Sequence, residues 1–345
     1  MSPAAEARRV TILGGGIGCS RLAAPMADLL GPGALTLVVN TGDDHWRYGL
    51  RICPDLDTNL YALSGLQDRE RGWGVAGDTF RTMEQLRLLG DDPWFALGDL
   101  DLALHLRRTA LLRDGATLSE ATARVVDALG LSVRLLPMSD DPVESRMQTP
   151  VGELGFQEYF VQRRAEDPVQ GVRLDGIESA APAPGVLEAV GTADLVVVGP
   201  SNPVASIEPI LALPGVRDAL VARKAAGRPT VAVTPIVEGI PIHDEGEARR
   251  ARCRAALLAT GGRSHRATSV GELLAGMITA FVLDEADAAE APGLAALGFD
   301  VVRADTVVAS PAAGRALAEV VLGLGTATPD REERVTEAAS SPGAR

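Results

Sequence analysis

The chain has 345 residues, a length that corresponds to one large or two small domains. Its 46 aspartates and glutamates outnumber its 33 lysines and arginines, so the formal net charge is −13. A surface this acidic repels phosphate backbones and anionic lipid headgroups, which argues against nucleic-acid and membrane-surface roles. Lys224 is the only lysine, and no glycine-rich loop precedes it. A Walker P-loop and a kinase strand lysine are therefore excluded.

Cysteine and histidine are too scattered to form a zinc site at any usual spacing. The three cysteines and four histidines include no CxxC or HxxxH pair, and the odd number of cysteines argues against a disulfide scaffold. Residues 1–9 lack the apolar core of a signal peptide, and the longest apolar stretch, residues 273–283, is too short to span a bilayer. We therefore expect a cytoplasmic protein with no membrane partner. A homodimer is expected only because it is the commonest assembly of soluble proteins.

The chain begins with a β-loop-α-β unit. Residues 10–13 predict a buried strand, residues 14–18 a glycine-rich loop, residues 19–30 a helix and residues 35–40 a second strand. Units of this kind build parallel sheets with right-handed crossovers. Continuous apolar runs, typical of buried parallel strands, return later at residues 194–198, 230–233, 279–283 and 301–302.

Between these two halves the pattern changes. Residues 78–129 have leucines near helical spacing, and residues 134–176 alternate in short pieces that predict hairpins. We predict an α/β fold in which residues 1–325 form a single domain with a doubly wound, mostly parallel Rossmann-like sheet. A helical and β-hairpin insertion is expected at about residues 78–178. Residues 326–345 are polar and rich in alanine, serine and proline, which predicts a disordered tail.

The loop after the first strand is suited to an anion. Its glycines are Gly14, Gly15, Gly16 and Gly18. Their lack of side chains lets backbone N–H groups and a helix N-terminus approach a phosphate. A dinucleotide fingerprint is incomplete, because Cys19 replaces its third glycine and Asn40 replaces its strand-ending acid. We therefore favour a phosphate-facing loop of another kind over NAD binding, with a tight turn as the alternative.

Two acidic stretches follow the second strand, where open α/β sheets bind ligands. The first contains Asn40, Thr41, Asp43 and Asp44, and the second contains Asp55, Asp57 and Thr58. Carboxylates are the hard oxygen ligands that Mg²⁺ prefers, and Mg²⁺ neutralises phosphate charge during transfer. The alternative is that Asp57 or Thr58 caps a helix over residues 59–66, and that the remaining acids form a solvated loop.

Further polar groups lie at element boundaries. A second strand-ending loop contains Ser201, Asn202 and Pro203. It suits a base or ribose edge, or forms an ordinary strand–helix turn, and the helix after it is expected to extend to about Lys224. Asp99 precedes a predicted helix and is suited to capping it. Residues 156–160 predict a half-buried strand, and His105 is either an acid–base group or an ordinary buried histidine.

In chain order, these motifs resemble the 2-phospho-L-lactate transferases of deazaflavin coenzyme F-420 biosynthesis, including the actinobacterial enolpyruvyl version. The matching stretches cover nearly all of the chain before the predicted tail. They are residues 14–18, 40–44, 49–58, 73–74, 98–99, 136–141, 156–158, 199–203, 206–207 and 303–306.

The resemblance implies a transfer between two small molecules. The donor is a guanosine diphosphate whose terminal phosphate carries lactate, enolpyruvate or a similar three-carbon acid. The acceptor is the ribityl hydroxyl of 7,8-didemethyl-8-hydroxy-5-deazariboflavin, and GMP leaves. The implied Mg²⁺ ligands are Asp43, Asp44, Asp55 and Asp57. The implied substrate contacts are the glycines of the first loop, Asn40, Thr41, Asp57, Thr58, Asp99, Ser201, Asn202 and Pro203.

Asp57 and Asp44 are the implied catalytic acids, and we hypothesise that Asp57 takes the proton of the acceptor hydroxyl. The chain departs from the family where a cation commonly follows Gly-Asp and a threonine precedes the histidine, since Leu100 and Leu104 stand there. An alternative is a non-catalytic, nucleotide-sugar-binding regulator that resembles gluconeogenesis factor. We favour the transferase because regulators of that kind carry glycines and serines directly after the paired aspartates, whereas His45 follows Asp44 here.

Overall fold

The computed structural model describes residues 8–325, and the tail predicted at residues 326–345 lies outside the described residues. The strands are β1 (Val10–Gly14), β2 (Leu35–Val39), β3 (His45–Arg47), β4 (Leu50–Ile52), β5 (Arg134–Pro137), β6 (Glu144–Thr149), β7 (Gly152–Gly155), β8 (Gly171–Asp175), β9 (Leu195–Val198), β10 (Thr230–Val233), β11 (Ala280–Asp284) and β12 (Asp300–Ala304). The α-helices are α1 (Gly16–Leu30), α2 (Pro54–Leu63), α3 (Arg81–Leu88), α4 (Asp101–Arg113), α5 (Leu118–Ala128), α6 (Val186–Thr192), α7 (Glu208–Ala212), α8 (Val216–Ala225), α9 (Glu245–Thr260), α10 (Ala267–Leu274), α11 (Ala291–Ala295) and α12 (Pro311–Leu324). Tighter or wider helical turns occur at Glu158–Gln162, Pro203–Ile207 and Glu285–Glu290.

The central sheet confirms the predicted doubly wound fold. Within residues 8–325 it has seven parallel strands in the order β12-β11-β10-β9-β1-β2-β5. The chain moves from β1 towards β5 on one side, and from β9 towards β12 on the other. The direction of winding therefore changes between β1 and β9. Ligands of open α/β sheets bind outside the carboxyl ends of the strands at such a switch point.

The inner strands are largely apolar because helices cover both faces of the sheet. Every residue of β1, β2, β9, β10 and β11 is buried. Ile12 and Leu13 enter different core clusters, as do Val197 and Val198, because successive side chains of a strand point to opposite faces. Each fully buried aliphatic side chain contributes about 1.5–3 kcal/mol to folding, so these two layers stabilise the sheet on both of its faces.

Three expectations for the loops and insertion are wrong. The hairpin region does not begin at residue 134, because β5 pairs in parallel with β2 at the sheet edge; its four residues are only alternately buried, as in a hairpin strand. The strand expected at residues 156–160 is the π-helical turn Glu158–Gln162. The helix expected to reach Lys224 is broken into Pro203–Ile207, α7 and α8. A hairpin does exist nearby, formed by β6 and β7, with β8 on the other edge of β6.

The helix that carries two of the predicted site acids begins earlier than expected. It starts at Pro54, and proline is favoured at the first helical position because its missing N–H needs no partner there. Asp55 and Asp57 therefore lie in the first turn of α2, where the helix dipole favours negative charge. The prediction that Asp57 or Thr58 caps a helix over residues 59–66 is wrong.

Candidate active site

The loops after β1 and β9 are bonded to each other at the switch point. The Gly15 N–H donates to the Ser201 hydroxyl at 3.0 Å, and that hydroxyl donates to the Gly15 carbonyl at 2.7 Å. Ser201 is buried. Two of the predicted substrate-binding loops are therefore parts of one structure.

The glycines allow two close approaches and one left-handed backbone conformation. A Cβ at Gly15 would lie 1.9 Å from Asp55 Oδ2, and one at Gly18 would lie 1.9 Å from the Pro200 carbonyl oxygen. Gly16 has a φ of 63°, in the left-handed region that favours glycine. The first contact seats the Asp55 carboxylate against the loop, and the second lets α1 start directly beside the loop after β9.

Asn40 joins two of the predicted metal ligands. Its Nδ2 donates to Asp43 Oδ1 at 3.1 Å and to Asp55 Oδ2 at 3.0 Å, and its own Oδ1 accepts from the Gly42 N–H at 2.8 Å. Gln157 Nε2 donates to the other oxygen of Asp43 at 2.5 Å. Both carboxylates are buried, and the side chains that donate hydrogen bonds to them are uncharged.

The pKa values of this pair reflect burial beside amide donors. Burial raises the pKa of Asp55 to about 6, against the lowering effect of hydrogen bonds from Asn40 and Ser206. Burial, followed by the charges of Asp55 and Asp44, holds the pKa of Asp43 well above its usual range. Such carboxylates are stabilised by a proton or by a nearby cation.

Asp44 has a cation on one side only. Arg51 Nη2 lies 3.3 Å from Asp44 Oδ2. The other oxygen, Oδ1, is buried and has no hydrogen-bond partner among the described residues. Burial raises the pKa of Asp44 to about 7, although Arg51 and the Cys53 thiol lower it. A carboxyl group with a pKa near neutrality and an unbonded oxygen is suited to proton transfer.

Asp57 lies at the end of a buried chain of polar groups. Arg108, which is 1% exposed, donates to both Asp57 oxygens through its two terminal nitrogens, with Nη1 3.2 Å from Oδ2. His105 lies between two acids, with Nδ1 3.6 Å from Asp57 Oδ2 and Nε2 3.1 Å from Asp101 Oδ1. The Tyr61 hydroxyl donates to the same Asp101 oxygen. This chain fixes the Asp57 carboxylate and places a cation on it.

The four predicted metal ligands therefore have two kinds of partner. Asp43 and Asp55 share an amide, whereas Asp44 and Asp57 each face an arginine. In residues 8–325, no three His, Cys, Asp or Glu side chains are arranged as a metal site. Magnesium sites commonly use only one or two protein carboxylates, because Mg²⁺ keeps several waters and binds substrate phosphates.

The remaining predicted contacts lie around the same loops. Asn202 Oδ1 accepts from the N–H groups of Val204 and Ala205 at 3.0 Å each, so it caps the turn Pro203–Ile207. Thr41 is buried, and its hydroxyl has no hydrogen-bond partner within the described part of the chain. Thr58 is half-buried on α2.

Asp99 caps a different helix from the one predicted. It accepts hydrogen bonds from the hydroxyls of Thr79 and Thr82 and from two N–H groups at the start of α3. The N–H groups at the start of α4 instead donate to Asp78. Asp78, which precedes α3, therefore caps α4, and Asp99, which precedes α4, caps α3.

Three side chains that hold the carboxylates were not assigned a role from the sequence: Arg51, Arg108 and Gln157. Arg51 and Gln157 lie within stretches that resemble the family. For Arg108 the available signal was its spacing from His105, since residues three apart share a helix face. A histidine and an arginine on one face of α4 would have indicated a buried polar partner.

Comparison with known proteins shows the family. The family profile described as 2-phospho-L-lactate transferase CofD matches residues 10–307. A 2-phospho-L-lactate transferase from Methanosarcina mazei is 38% identical over 311 residues, which cover 90% of this chain and 98% of that protein. A phosphoenolpyruvate transferase from Streptomyces coelicolor is 42% identical over 291 residues, which cover 81% of this chain and 86% of that protein.

A solved structure shares the fold alone. A UPF0052 family protein from Bacillus halodurans superposes with a TM-score of 0.57 at 16% identity, covering 92% of this chain and 99% of that one. No helix in residues 8–325 is long and apolar enough to cross a membrane.

The fold and site define a doubly wound α/β protein with a cluster of buried carboxylates at its switch point. The sequence comparisons then assign the chain to one family. The chain belongs to the 2-phospho-L-lactate transferase family, which confirms the resemblance drawn from its motifs.

Proposed function

We propose that the protein transfers a phospho-three-carbon-acid group from a guanosine-diphosphate-linked donor to the ribityl hydroxyl of 7,8-didemethyl-8-hydroxy-5-deazariboflavin. GMP leaves, and the reaction belongs to coenzyme F-420 biosynthesis. The observation that carries the proposal is the convergence of the Gly15 loop, Ser201 and the Asp43–Asp55 pair at the switch point. The names of the relatives favour 2-phospholactate or phosphoenolpyruvate as the transferred group.

The start of α1 is suited to the phosphates of the nucleotide donor. The first turn of α1 contains no acidic residue, so its N-terminal N–H groups are suited to an anion. The loop after β9 borders the same helix start, because the Ser201 hydroxyl is hydrogen-bonded to Gly15.

The residues present fit a hard divalent cation. Asp43 and Asp55 are buried carboxylates with raised pKa values, and Asp44 Oδ1 accepts no hydrogen bond from residues 8–325. We propose that Asp43 and Asp55 hold Mg²⁺. Asp44 and Asp57 are the other two positions that the family resemblance implies as metal ligands. When bound, the ion neutralises phosphate charge during transfer.

Asp57 and Asp44 are assigned different roles in the reaction. Both oxygens of Asp57 already accept hydrogen bonds from Arg108, so we assign Asp57 to holding the acceptor rather than to the proton transfer first hypothesised for it. Asp44, with its pKa of about 7, takes the proton of the ribityl hydroxyl. The hydroxyl oxygen bonds to the phosphorus that carries the three-carbon acid, and the bond from that phosphorus to the GMP oxygen breaks. Phosphoryl transfer of this kind depends mainly on positioning and charge neutralisation.

The test is GMP release from lactate-, enolpyruvate- and glycerate-type donors, with and without acceptor and Mg²⁺, followed by mass spectrometry of the acceptor. We expect release that needs both, and an acceptor that gains the mass of the phospho-acid. Asp44→Asn should lower turnover, whereas Asp127→Asn, an exposed acid on α5, should not. Nucleotide binding without turnover of any donor would refute the transferase and favour the regulator.

A further inference from the structure

An uncharged side chain from outside the central sheet holds one of the buried acids. Gln157 lies two residues after the end of β7 and directly before the turn Glu158–Gln162. It is buried, and its Nε2 donates to Asp43 Oδ2 at 2.5 Å. The bond therefore joins the loop after β2 to the three-stranded sheet β7-β6-β8, which we call the small sheet.

A backbone hydrogen bond holds the small sheet at the same loop. The N–H of Ser145, on β6, donates to the Gly42 carbonyl at 2.6 Å. A Cβ at Gly42 would lie 2.9 Å from the Ser145 hydroxyl, so the glycine permits this approach. Strand β6 pairs with β7, and β7 ends two residues before Gln157. The distance between Gln157 and Asp43 is therefore set by the backbone as well as by the side chains.

The side chains that donate to Asp43 are amides, one on each of its oxygens. Asn40 Nδ2 donates to Oδ1 at 3.1 Å, and Gln157 donates to Oδ2. Two bonds fix the plane of the carboxylate and leave about two of its four lone-pair sites for another ligand. Because amides carry no charge, they orient the carboxylate without compensating its negative charge. Asp57 differs, since the Arg108 guanidinium donates to both of its oxygens.

The second buried acid makes the orientation of Asp43 important. Asn40 Nδ2 also donates to Asp55 Oδ2 at 3.0 Å, so one amide lies between Asp43 and Asp55. Two carboxylates so close together repel each other, and a cation offsets the repulsion. Gln157 bonds to the Asp43 oxygen that Asn40 does not hold. It therefore opposes a rotation of the Asp43 carboxylate away from its neighbour while no cation is bound.

We propose that Gln157 is a positioning residue that sets the affinity of Asp43 for a divalent cation. The inference rests on the proposed function, because it takes Asp43 to be a ligand of Mg²⁺. Side chains that hydrogen-bond to metal ligands orient them, and their removal commonly lowers metal affinity about 10–100-fold. The small sheet is then part of the metal site, although it contributes none of the four carboxylates.

The test is titration of Mn²⁺ into the full-length protein without nucleotide or acceptor, with free Mn²⁺ measured by electron paramagnetic resonance. Mn²⁺ takes the same oxygen ligands as Mg²⁺. Gln157→Met keeps the length of the side chain and removes the donor, whereas Gln157→Asn keeps the amide on a side chain one methylene shorter. Each should raise the dissociation constant for Mn²⁺ about tenfold. The matched control is Gln148→Met, at an exposed glutamine on β6, which should change the constant less than about twofold.

Circular dichroism and thermal unfolding of the metal-free proteins establish which variants are folded. A folded Gln157 variant with the wild-type Mn²⁺ affinity would overturn the proposal, because the bond would then only hold the small sheet in place. So would a wild type that binds no Mn²⁺, or an Asp43→Asn variant that loses less affinity than the Gln157 variants. The titration contains no donor, so it is independent of the GMP-release assay. Weaker Mn²⁺ binding in variants of a protein that turns over no donor would retain the role of Gln157 and reject the transferase.

Discussion

Replacing Arg108 by methionine should destabilise the protein strongly. The Arg108 guanidinium is buried and donates through both terminal nitrogens to Asp57, which is only 5% exposed. Burial lowers the pKa of Arg108, but Asp57 and Cys53 raise it, and the net result lies above its usual value. Methionine keeps the volume of the aliphatic stem and removes the charge. The perturbation is therefore mainly electrostatic.

The magnitude follows from what Asp57 loses. Removing one partner of a buried ion pair costs about 3–5 kcal/mol, because the other charge stays buried without compensation. His105, with Nδ1 3.6 Å from Asp57 Oδ2, is the nearest remaining nitrogen of the network. Urea unfolding followed by far-ultraviolet circular dichroism should show a lower midpoint with an unchanged slope.

The double variant Arg108→Met, Asp57→Asn separates charge from packing. Because the asparagine carries no charge, the double variant should regain about 1–3 kcal/mol relative to Arg108→Met alone. Arg315→Met, at an exposed site on α12, should change the free energy of unfolding by less than about 0.5 kcal/mol. A loss below about 1 kcal/mol for Arg108→Met, or a double variant that is less stable still, would contradict this account of the pair.

Three further perturbations test other parts of the site. Gly18→Ala places a Cβ 1.9 Å from the Pro200 carbonyl oxygen and should lower the free energy of unfolding by about 1–3 kcal/mol, measured by thermal unfolding. The control Gly191→Ala, whose Cβ would have open space around it, should be neutral or stabilising. Equal effects of the two substitutions would be evidence against the close packing at Gly18. In the metal-free protein, the free energy of unfolding should fall as pH rises from about 5 to about 8, because folded Asp44 and Asp55 (pKa about 7 and about 6) keep protons that unfolded carboxyls release near pH 4. Asp44→Asn should flatten that slope and Asp127→Asn should not, so an unchanged slope in Asp44→Asn would reject the assignment. Asp99→Ala should lower the midpoint of thermal unfolding by removing the cap of α3 while leaving GDP affinity unchanged, and a lost affinity would instead favour the predicted substrate contact.

The framework of the fold could be predicted because its strands are buried on both faces. The strand expected at residues 10–13 appears as β1, and the one at residues 230–233 as β10. The position of the ligand loops then followed from parallel-sheet topology. The edge strand β5 was not predicted as part of the sheet, because an edge strand is not buried as fully as the inner strands. Only part of it is buried, so its pattern was that of a hairpin strand.

The pairing of charges could not be predicted, because it depends on contacts between distant segments. Asp57 pairs with Arg108, which is 51 positions away, and Asp43 with Gln157, which is 114 positions away. Neither spacing follows from a local period. The start of α2 was misplaced because two acids next to a proline resemble a loop as much as a first helical turn. That error changed the geometry of the site, since it moved Asp55 and Asp57 from a loop to a helix.

The distribution of charge partners explains more of the site than the number of its carboxylates. Asp57 has a bidentate arginine, Asp44 has an arginine on one oxygen, and Asp43 and Asp55 are bridged by the amide of Asn40. The negative charge that lacks a directly bonded cation is therefore concentrated on Asp43 and Asp55, beside the glycine loop. Helix α9, which packs against the turn Pro203–Ile207, carries Arg250 and Arg254 on the single carboxylate of Glu247. An anion that carries its own divalent cation complements both sides at once, whereas a neutral ligand complements neither. This polarity favours a metal–diphosphate substrate over a neutral metabolite, independently of the names of the relatives.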